Sequence, residues 1–383
     1  MDSYKQLAKF LDGLPGGFPS TDTGVEQRIL KRLFTPEEAE LAVKLSLVPE
    51  EAGVIARRAK REKKETAEML ETMTRKGLVY SVEREGRLPL YMATQFVIGI
   101  WEYHVNDLDP EFVRDMEEYI PTLFDMKTWK KAPQLRTVPV GESVPVELEI
   151  MPHEKAGELV RAHNKFLAAP CICRRERTIV GEGCKKPEES CLILGRAVDY
   201  YRKNGIGRVI NREEALHILD EADKHGLVLQ PSNSQRIANI CCCCGCCCAV
   251  LRTVKRHPKP AEFVSSAFVA SYDPTLCAHC YVCVDRCQME AIKRSGEVIT
   301  HDLNRCIGCG LCVSTCLKEA VKLMRKPQSA QPKVPKSLME NYIRLLRVRK
   351  RISSTHMARI LGRFRRKKGR SKPGIGSKAA GKT

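Results

Sequence analysis

The sequence predicts an α+β chain built of several domains, and three observations point that way. Its 383 residues are enough for two to four domains. All 19 cysteines lie between Cys171 and Cys316, and the first 170 residues have none. From Arg325 to Thr383 there are 19 Lys or Arg and one acid, Glu340, so this tail carries +18 of a total of +19 and the other 324 residues sum to +1. The expected division is 1–110, a connector over 111–168, a cysteine-rich part over 169–250, a second cysteine-rich part over 264–326, and a basic tail over 327–383.

Composition narrows the function classes. The apolar fraction of 43% is ordinary for a globular chain. No apolar run is long enough to span a membrane, and MDSYKQLAKF lacks the apolar core of a secretory signal. A cytoplasmic location is therefore expected, where cysteines stay reduced and metal binding is favoured over a disulfide scaffold. The sequence shows no GxxxxGK[ST] loop, no HExxH pair and no flavin or nicotinamide fingerprint. GLPGGFPS (13–20) reads as a turn-rich loop, and His153, His217 and His225 as solvated or packed.

The N-terminal third reads as helices followed by a hairpin. Thr35-Pro36-Glu37-Glu38 is a helix start with a capping box. Pro49-Glu50-Glu51 opens another helix, and a third runs from about Lys64 to Lys76 and ends at Gly77. LVYSVE (78–83), REGR (84–87) and LPLYM (88–92) follow as strand, turn and strand. This order predicts a winged-helix-like unit within residues 1–110. Glu65, Glu68 and Glu71 form one stripe on the third helix and would repel phosphates. A small interaction unit is therefore favoured over a DNA reader. Pro-rich segments over 121–152, with SVPVELEI (143–150), predict a connector with short extended pieces.

The cysteines of the last third are the most specific signal. Cys277, Cys280, Cys283 and Cys287 form C-x2-C-x2-C-x3-C, and Cys306, Cys309, Cys312 and Cys316 repeat it. LCAHCYVCVDRCQMEAI (276–292) against RCIGCGLCVSTCLKEAV (305–321) marks an internal duplication. This spacing fits cubane iron–sulfur clusters, and in the two-cluster arrangement the fourth cysteine of each run serves the other cluster. That assigns Cys277, Cys280, Cys283 and Cys316 to one cluster and Cys306, Cys309, Cys312 and Cys287 to the other. Two zinc sites would use C-x2-C pairs without such a duplicated run of four. These residues resemble bacterial-type two-[4Fe–4S] ferredoxins over roughly Val264 to Leu323. The resemblance implies a small α+β fold of two pseudo-symmetric halves and electron transfer. It departs in one respect: the family's Pro after the fourth cysteine is Gln288 in one half and Leu317 in the other.

The central region holds Cys171, Cys173, Cys184 and Cys191, enough for a third centre, with Arg174, Arg175 and Arg177 to offset thiolate charge. A helix capped by Asn211 and Glu214 and ended by Gly226 leads towards CCCCGCCC (241–248). Of that run, two to four of Cys241, Cys243, Cys244, Cys246, Cys247 and Cys248 are expected to supply a further centre, since neighbouring cysteines point apart. Gly245 is expected to let the backbone turn sharply. The competing reading is a set of small buried hydrophobes. GFPSTDTGVEQRILKRLFTPEEAELA (17–42), FVIGIWE (96–102), CICR (171–174), the Gly183-Cys184…Pro187…Cys191-Leu192 pattern and ICCCCGCCC (240–248) together resemble the long ferredoxin-like proteins of anaerobic bacteria. These join a winged-helix-like N-terminus to a cysteine-rich middle and a two-cluster end. In that family's motif an Asn takes the place of Cys242, which makes Cys242 the least suited ligand of the seven.

In the tail, Pro327, Pro332 and Pro335 make a linker, and Ser337 begins a helix. Leu338, Met339, Tyr342, Ile343, Leu345, Leu346 and Ile352 crowd one side of it, with Arg344, Arg347, Arg349, Lys350 and Arg351 on the rest. Such a helix suits an anionic membrane surface, peripheral on its inner face, or an acidic partner protein. GRFRRKKGRSKPGIGSKAAGKT (362–383) reads as disordered. The expected function is one-electron transfer through two [4Fe–4S] clusters, with one or two additional iron–sulfur or zinc centres, to a redox partner protein. A redox-sensing winged-helix transcription regulator and an accessory or activating subunit of a partner enzyme are the alternatives.

Overall fold

The computed structural model describes residues 2–143 and 151–351. Apart from Ser143, the stretch SVPVELEI lies outside the described residues, as do Ile352 and the 362–383 segment. The described chain mixes helices with small sheets.

The first helices are α1 (Ser3–Asp12), α2 (Val25–Leu33) and α3 (Pro36–Ala42). Thr35 and Glu38 close the expected capping box on α3. Next come β1 (Glu50–Glu51), α4 (Ala52–Ala59), α5 (Lys63–Arg75), β2 (Tyr80–Arg84) and β3 (Arg87–Met92). The helix expected to open at Pro49 starts only at Ala52, because Glu50 and Glu51 pair with Tyr91 and Leu90 as a short strand. The sheet order is β1–β3–β2. α5 buries Thr66, Leu70, Met73 and Thr74, and Gly77 leaves its end at φ 76°.

After α6 (Trp101–Tyr103) come α7 (Pro110–Leu123) and α8 (Met126–Lys131). The connector expected over 111–168 thus begins within a helix of 14 residues, whose last three fall in the stretch expected to be Pro-rich with short extended pieces. Asp109 caps it and Pro110 opens it, while Pro121 sits in its last turn without stopping it before Leu123. It buries Phe112, Met116 and Tyr119 in one core with α1 and α2, and Arg28 bridges to its Asp115 at 2.9 Å.

The middle of the chain runs α9 (Ala156–Arg161), β4 (Phe166–Pro170), α10 (Ile172–Ile179), β5 (Glu189–Leu194), α11 (Ala197–Lys203), β6 (Arg208–Ile210), α12 (Arg212–Lys224), β7 (Val228–Pro231), β8 (Asn239–Cys243) and α13 (Ala249–Lys255). α12 is the helix expected between the cysteine groups, with Asn211 accepting from the Glu214 N–H at 2.8 Å. The five strands form one antiparallel sheet ordered β6–β4–β5–β8–β7. Side chains alternate across a strand, so the sheet serves two cores. Leu167, Ala169 and Ile193 join the core of the N-terminal helices. Phe166, Ala168, Leu192, Leu194, Ile240 and Cys242 join a second core with α12.

The last part holds β9 (Phe268–Tyr272), α14 (Val282–Arg286), β10 (Ile292–Ser295), β11 (Val298–His301) and β12 (Val321–Arg325), with β9 paired to β12 and β10 to β11. The duplication extends to the backbone. His279, Tyr281 and Glu290 are left-handed, and so are Gly308, Gly310 and Glu319 at the matching offsets from the cysteines. This part is fastened to the middle: Arg286 meets Asp223, and the Ser314 hydroxyl donates to Asp223 at 2.8 Å.

α15 (Leu338–Val348) is the helix expected after the proline linker. Its apolar side is not open to a membrane, because Ile343, Leu345 and Leu346 are buried in the fold. The Asn341 amide donates to the Pro133 carbonyl at 3.2 Å, and Arg349 bridges to Asp12 at 2.7 Å. Among the described residues no helix is long and apolar enough to cross a membrane.

Candidate metal centres

The run CCCCGCCC is divided by the geometry of β8. Alternation sends Cys241 and Cys243 to one face and Cys242 to the other. Cys242 lies in the second core at 1% exposure, and burial pushes its thiol up to about 12. It packs there as a small apolar side chain.

Cys244, Cys246 and Cys247 turn away from the sheet and meet Cys184, and the four Sγ atoms all lie within 4.8 Å of one another. Cys184 and Cys244 are 3.9 Å apart, and Cys246 and Cys247 are 3.8 Å apart. A tetrahedral ion with Zn–S bonds of about 2.3 Å sets its ligands ~3.8 Å apart. The set therefore has the spacing of ligands to one tetrahedral ion, whereas the thiolates of a cubane bind four different irons and stand farther apart. The Cys244 thiol lies well below its usual range. The hydrogen bond from Cys247 is the main cause, burial opposes it, and Arg174 adds to it.

Cys171, Cys173 and Cys191, expected to share a centre with Cys184, are not gathered with it. Cys171 and Cys173 stand at the start of α10, whereas Cys184 follows its end. They join Cys191 of β5, Cys241 and Cys243 of β8, and Cys248 before α13. Cys191 and Cys241 are register partners on adjacent strands.

Arg174 links the two thiol groups, lying close to Cys171 and Cys243 of one and to Cys244 and Cys184 of the other. It is 2% exposed. Its hydrogen bonds go to the carbonyls of Pro187 and Cys242, both at 2.9 Å, and to the Ser190 hydroxyl, and not to a carboxylate. Burial works against its charge, but the surrounding thiols outweigh that and raise its pKa. Of the three arginines expected to offset thiolate charge, only Arg174 is so placed. Arg175 pairs with Glu188, and Arg177 with Glu117 and Glu182.

The backbone turns at Gly245 as expected, with the Cys248 N–H donating to the Cys244 carbonyl at 3.2 Å, and Gly245 is also a point of close approach. Its φ is not left-handed, but a Cβ there would stand 2.4 Å from the Gln288 carbonyl oxygen. Its N–H donates to Gln288 Oε1 at 2.7 Å. Gln288 is the residue found where the ferredoxin pattern has Pro. It joins the four-thiol loop to the residue after Cys287. Gly245→Ala is expected to lower the unfolding free energy by roughly 1–3 kcal/mol, because one of two backbones must move. An unchanged denaturation midpoint of the metal-loaded variant would refute this contact.

In the C-terminal part, Cys283 is pushed up to about 11, first by burial and then by Cys280, Cys316 and Cys277. Cys309 is pushed up to about 12 by burial, with Cys287 and Cys306 adding. Cys287, Cys306, Cys309 and Cys312 line a cavity of about 20 Å³. Main-chain N–H groups point at several sulfurs: Ala270 to Cys306 at 3.3 Å, Ala291 to Cys287 at 3.1 Å and His279 to Cys277 at 3.4 Å. Such donors favour thiolate over thiol. The two sets differ in access. Cys280 is exposed, whereas Cys306 and Cys312 are buried.

Comparison with family models, with curated proteins and with solved structures finds no match for this chain.

Proposed function

We propose that the chain is an iron–sulfur electron-transfer protein. The supporting observation is the crossed gathering of eight thiols: Cys316 lies near Cys277, Cys280 and Cys283, and Cys287 near Cys306, Cys309 and Cys312. Each four-thiol set suits a [4Fe–4S] cluster, which when bound supplies a one-electron couple. The protein's own part is to exclude water from the second set, to aim N–H dipoles at the sulfurs, and to leave the first set near the surface. Leu276, Val282 and Leu317 are exposed beside that first set, with Leu317 98% exposed, and there a redox partner protein docks. The site of Cys184, Cys244, Cys246 and Cys247 holds a zinc or single iron ion as an additional centre.

A winged-helix-like N-terminal unit is part of this proposal, as an interaction unit. DNA reading is not, because Glu71 of α5 is held by Lys203 at 2.8 Å and the Arg75 guanidinium donates to the Lys203 carbonyl at 2.6 Å. α5 is thus tied at this end to α11 and carries acids along one stripe.

Cys283→Ser and Cys312→Ser are each expected to remove about four irons per chain from anaerobically purified protein. Each should also delete its own component of the reduced EPR spectrum. Full iron content with an unchanged spectrum in both variants would reject the assignment.

A further inference from the structure

Seven cysteines stand outside both the ferredoxin-like pair and the tetrahedral set, and all of them but Cys242 form a connected ring. Cys191 lies beside Cys241, its register partner, Cys241 beside Cys243, Cys243 beside Cys248, Cys248 beside Cys173, and Cys173 beside Cys171. Cys171 in turn lies near Cys241 and Cys243 and closes the circuit. They come from four places in the chain: the start of α10, β5, β8 and the residue before α13. Two amides point at them. The Asn239 amide donates to Cys241 Sγ at 3.3 Å, and the Gln230 amide to Cys248 Sγ at 3.8 Å.

A single ion would draw four thiols to one point, and among the described residues only the Cys184 set does that. Six sulfurs in a ring exceed the demand of one tetrahedral ion and suit several bridged ones. Arg174 beside Cys171 and Cys243 is the buried cation that such a thiolate set calls for.

The ring is also a wall. A cavity of about 490 Å³, lined mainly by apolar side chains, borders all six of these cysteines. It reaches from them to Ile98, Tyr103, Tyr201, Leu338 and Tyr342, and its lining holds one acid, Glu102, and one base, Arg174. Size, apolar lining and a few polar groups are the marks of a small-molecule site. A structural metal site is closed by protein, and this one opens on a space. The Glu102 carboxylate accepts from the Gly99 N–H at 2.7 Å, and burial pushes it up to about 7, so near neutral pH about half of it is the uncharged acid.

We propose that Cys171, Cys173, Cys191, Cys241, Cys243 and Cys248 hold a polynuclear iron–sulfide centre in the wall of a ligand cavity, and that the cavity takes a small, uncharged, largely apolar molecule with a polar group facing Glu102. This goes beyond electron relay and does not rest on the ferredoxin-like pair. The chain then brings a bound organic molecule beside a metal centre, with electron-transfer centres in the same fold.

The test uses the full chain, purified anaerobically, with iron, sulfide and zinc measured per chain. Cys173→Ser and Cys243→Ser are expected to lose iron and sulfide. Combining Cys173→Ser with Cys312→Ser should lose the sum of the two single losses, which separates this site from the ferredoxin-like pair. Prodan, an uncharged naphthalene ketone, is expected to bind saturably with blue-shifted emission. Ile98→Trp, which fills the cavity, should weaken that binding tenfold or more at unchanged iron content. Leu338→Trp, on α15, gives the same test from a second element, and far-UV circular dichroism verifies that each variant is folded. Unchanged iron in both serine variants, or zinc in place of that iron, overturns the metal centre. Undiminished prodan binding by both folded tryptophan variants overturns the cavity.

Discussion

Leu345→Ala and Leu346→Ala in α15 are each expected to lower the unfolding free energy by about 2–5 kcal/mol, the usual cost of emptying a buried leucine site. Leu345 is 3% exposed and Leu346 is 6% exposed. Both point into the fold from a helix whose Asn341 and Arg349 are anchored to Pro133 and Asp12. Arg344→Ala and Lys350→Ala, on the exposed side, should stay within about 0.5 kcal/mol of the parent. Denaturant unfolding of the metal-loaded protein gives the comparison. Leucine variants with the parent midpoint would mean that α15 is not docked in solution, and the membrane-facing reading of its apolar stripe would return. The same helix supplies Leu338, Met339 and Tyr342 to the large cavity, so its docking also shapes the proposed ligand site.

Some of this molecule can be read along the chain, and the reason is local. The C-x2-C-x2-C-x3-C runs, the Thr35 capping box, the Asn211 cap and the α5–hairpin succession each depend on residues a few positions apart. What cannot be read that way depends on pairing at a distance. β5 and β8 meet through Cys191 and Cys241, and nothing near either residue announces the other. The grouping of Cys184 with Cys244, Cys246 and Cys247 follows from that pairing. Taken by sequence proximity, Cys184 falls with Cys171, Cys173 and Cys191. One signal was present: reading NICCC as a strand of period two separates Cys242 from Cys241 and Cys243 at once. The cysteine content hid the strand, because a thiol-rich run suggests a ligand loop. Proline misled in a similar way, since Pro121 suggested an extended connector where α7 tolerates it in its last turn.

The second large effect belongs to Arg174. Its guanidinium is buried between two thiol groups, its hydrogen bonds go to two carbonyls and one hydroxyl, and the thiols around it are what raise its pKa against burial. Arg174→Met is expected to cost about 3–5 kcal/mol, as removal of one member of a buried charged set does. A more specific effect follows from the sign of the interaction. The Arg174 charge helps hold the Cys244 thiol below its usual range, so losing it lets the proton compete better for that sulfur. Metal ligation requires the thiolate, and the metal should therefore leave at a higher pH in the variant than in the parent. Arg174→Lys keeps the charge but loses the planar fork, so the pH of release should return towards the parent value while stability does not. Arg175→Met, which breaks the pair with Glu188 and the hydrogen bonds to the Val105 carbonyl and Asn106 but removes no charge that acts on Cys244, should leave the pH of release unchanged. Acid titration of the zinc- and iron-loaded protein, followed by a chromophoric chelator, measures the release directly. Release from Arg174→Met at the parent's pH would show that this cation packs between the thiols without tuning them.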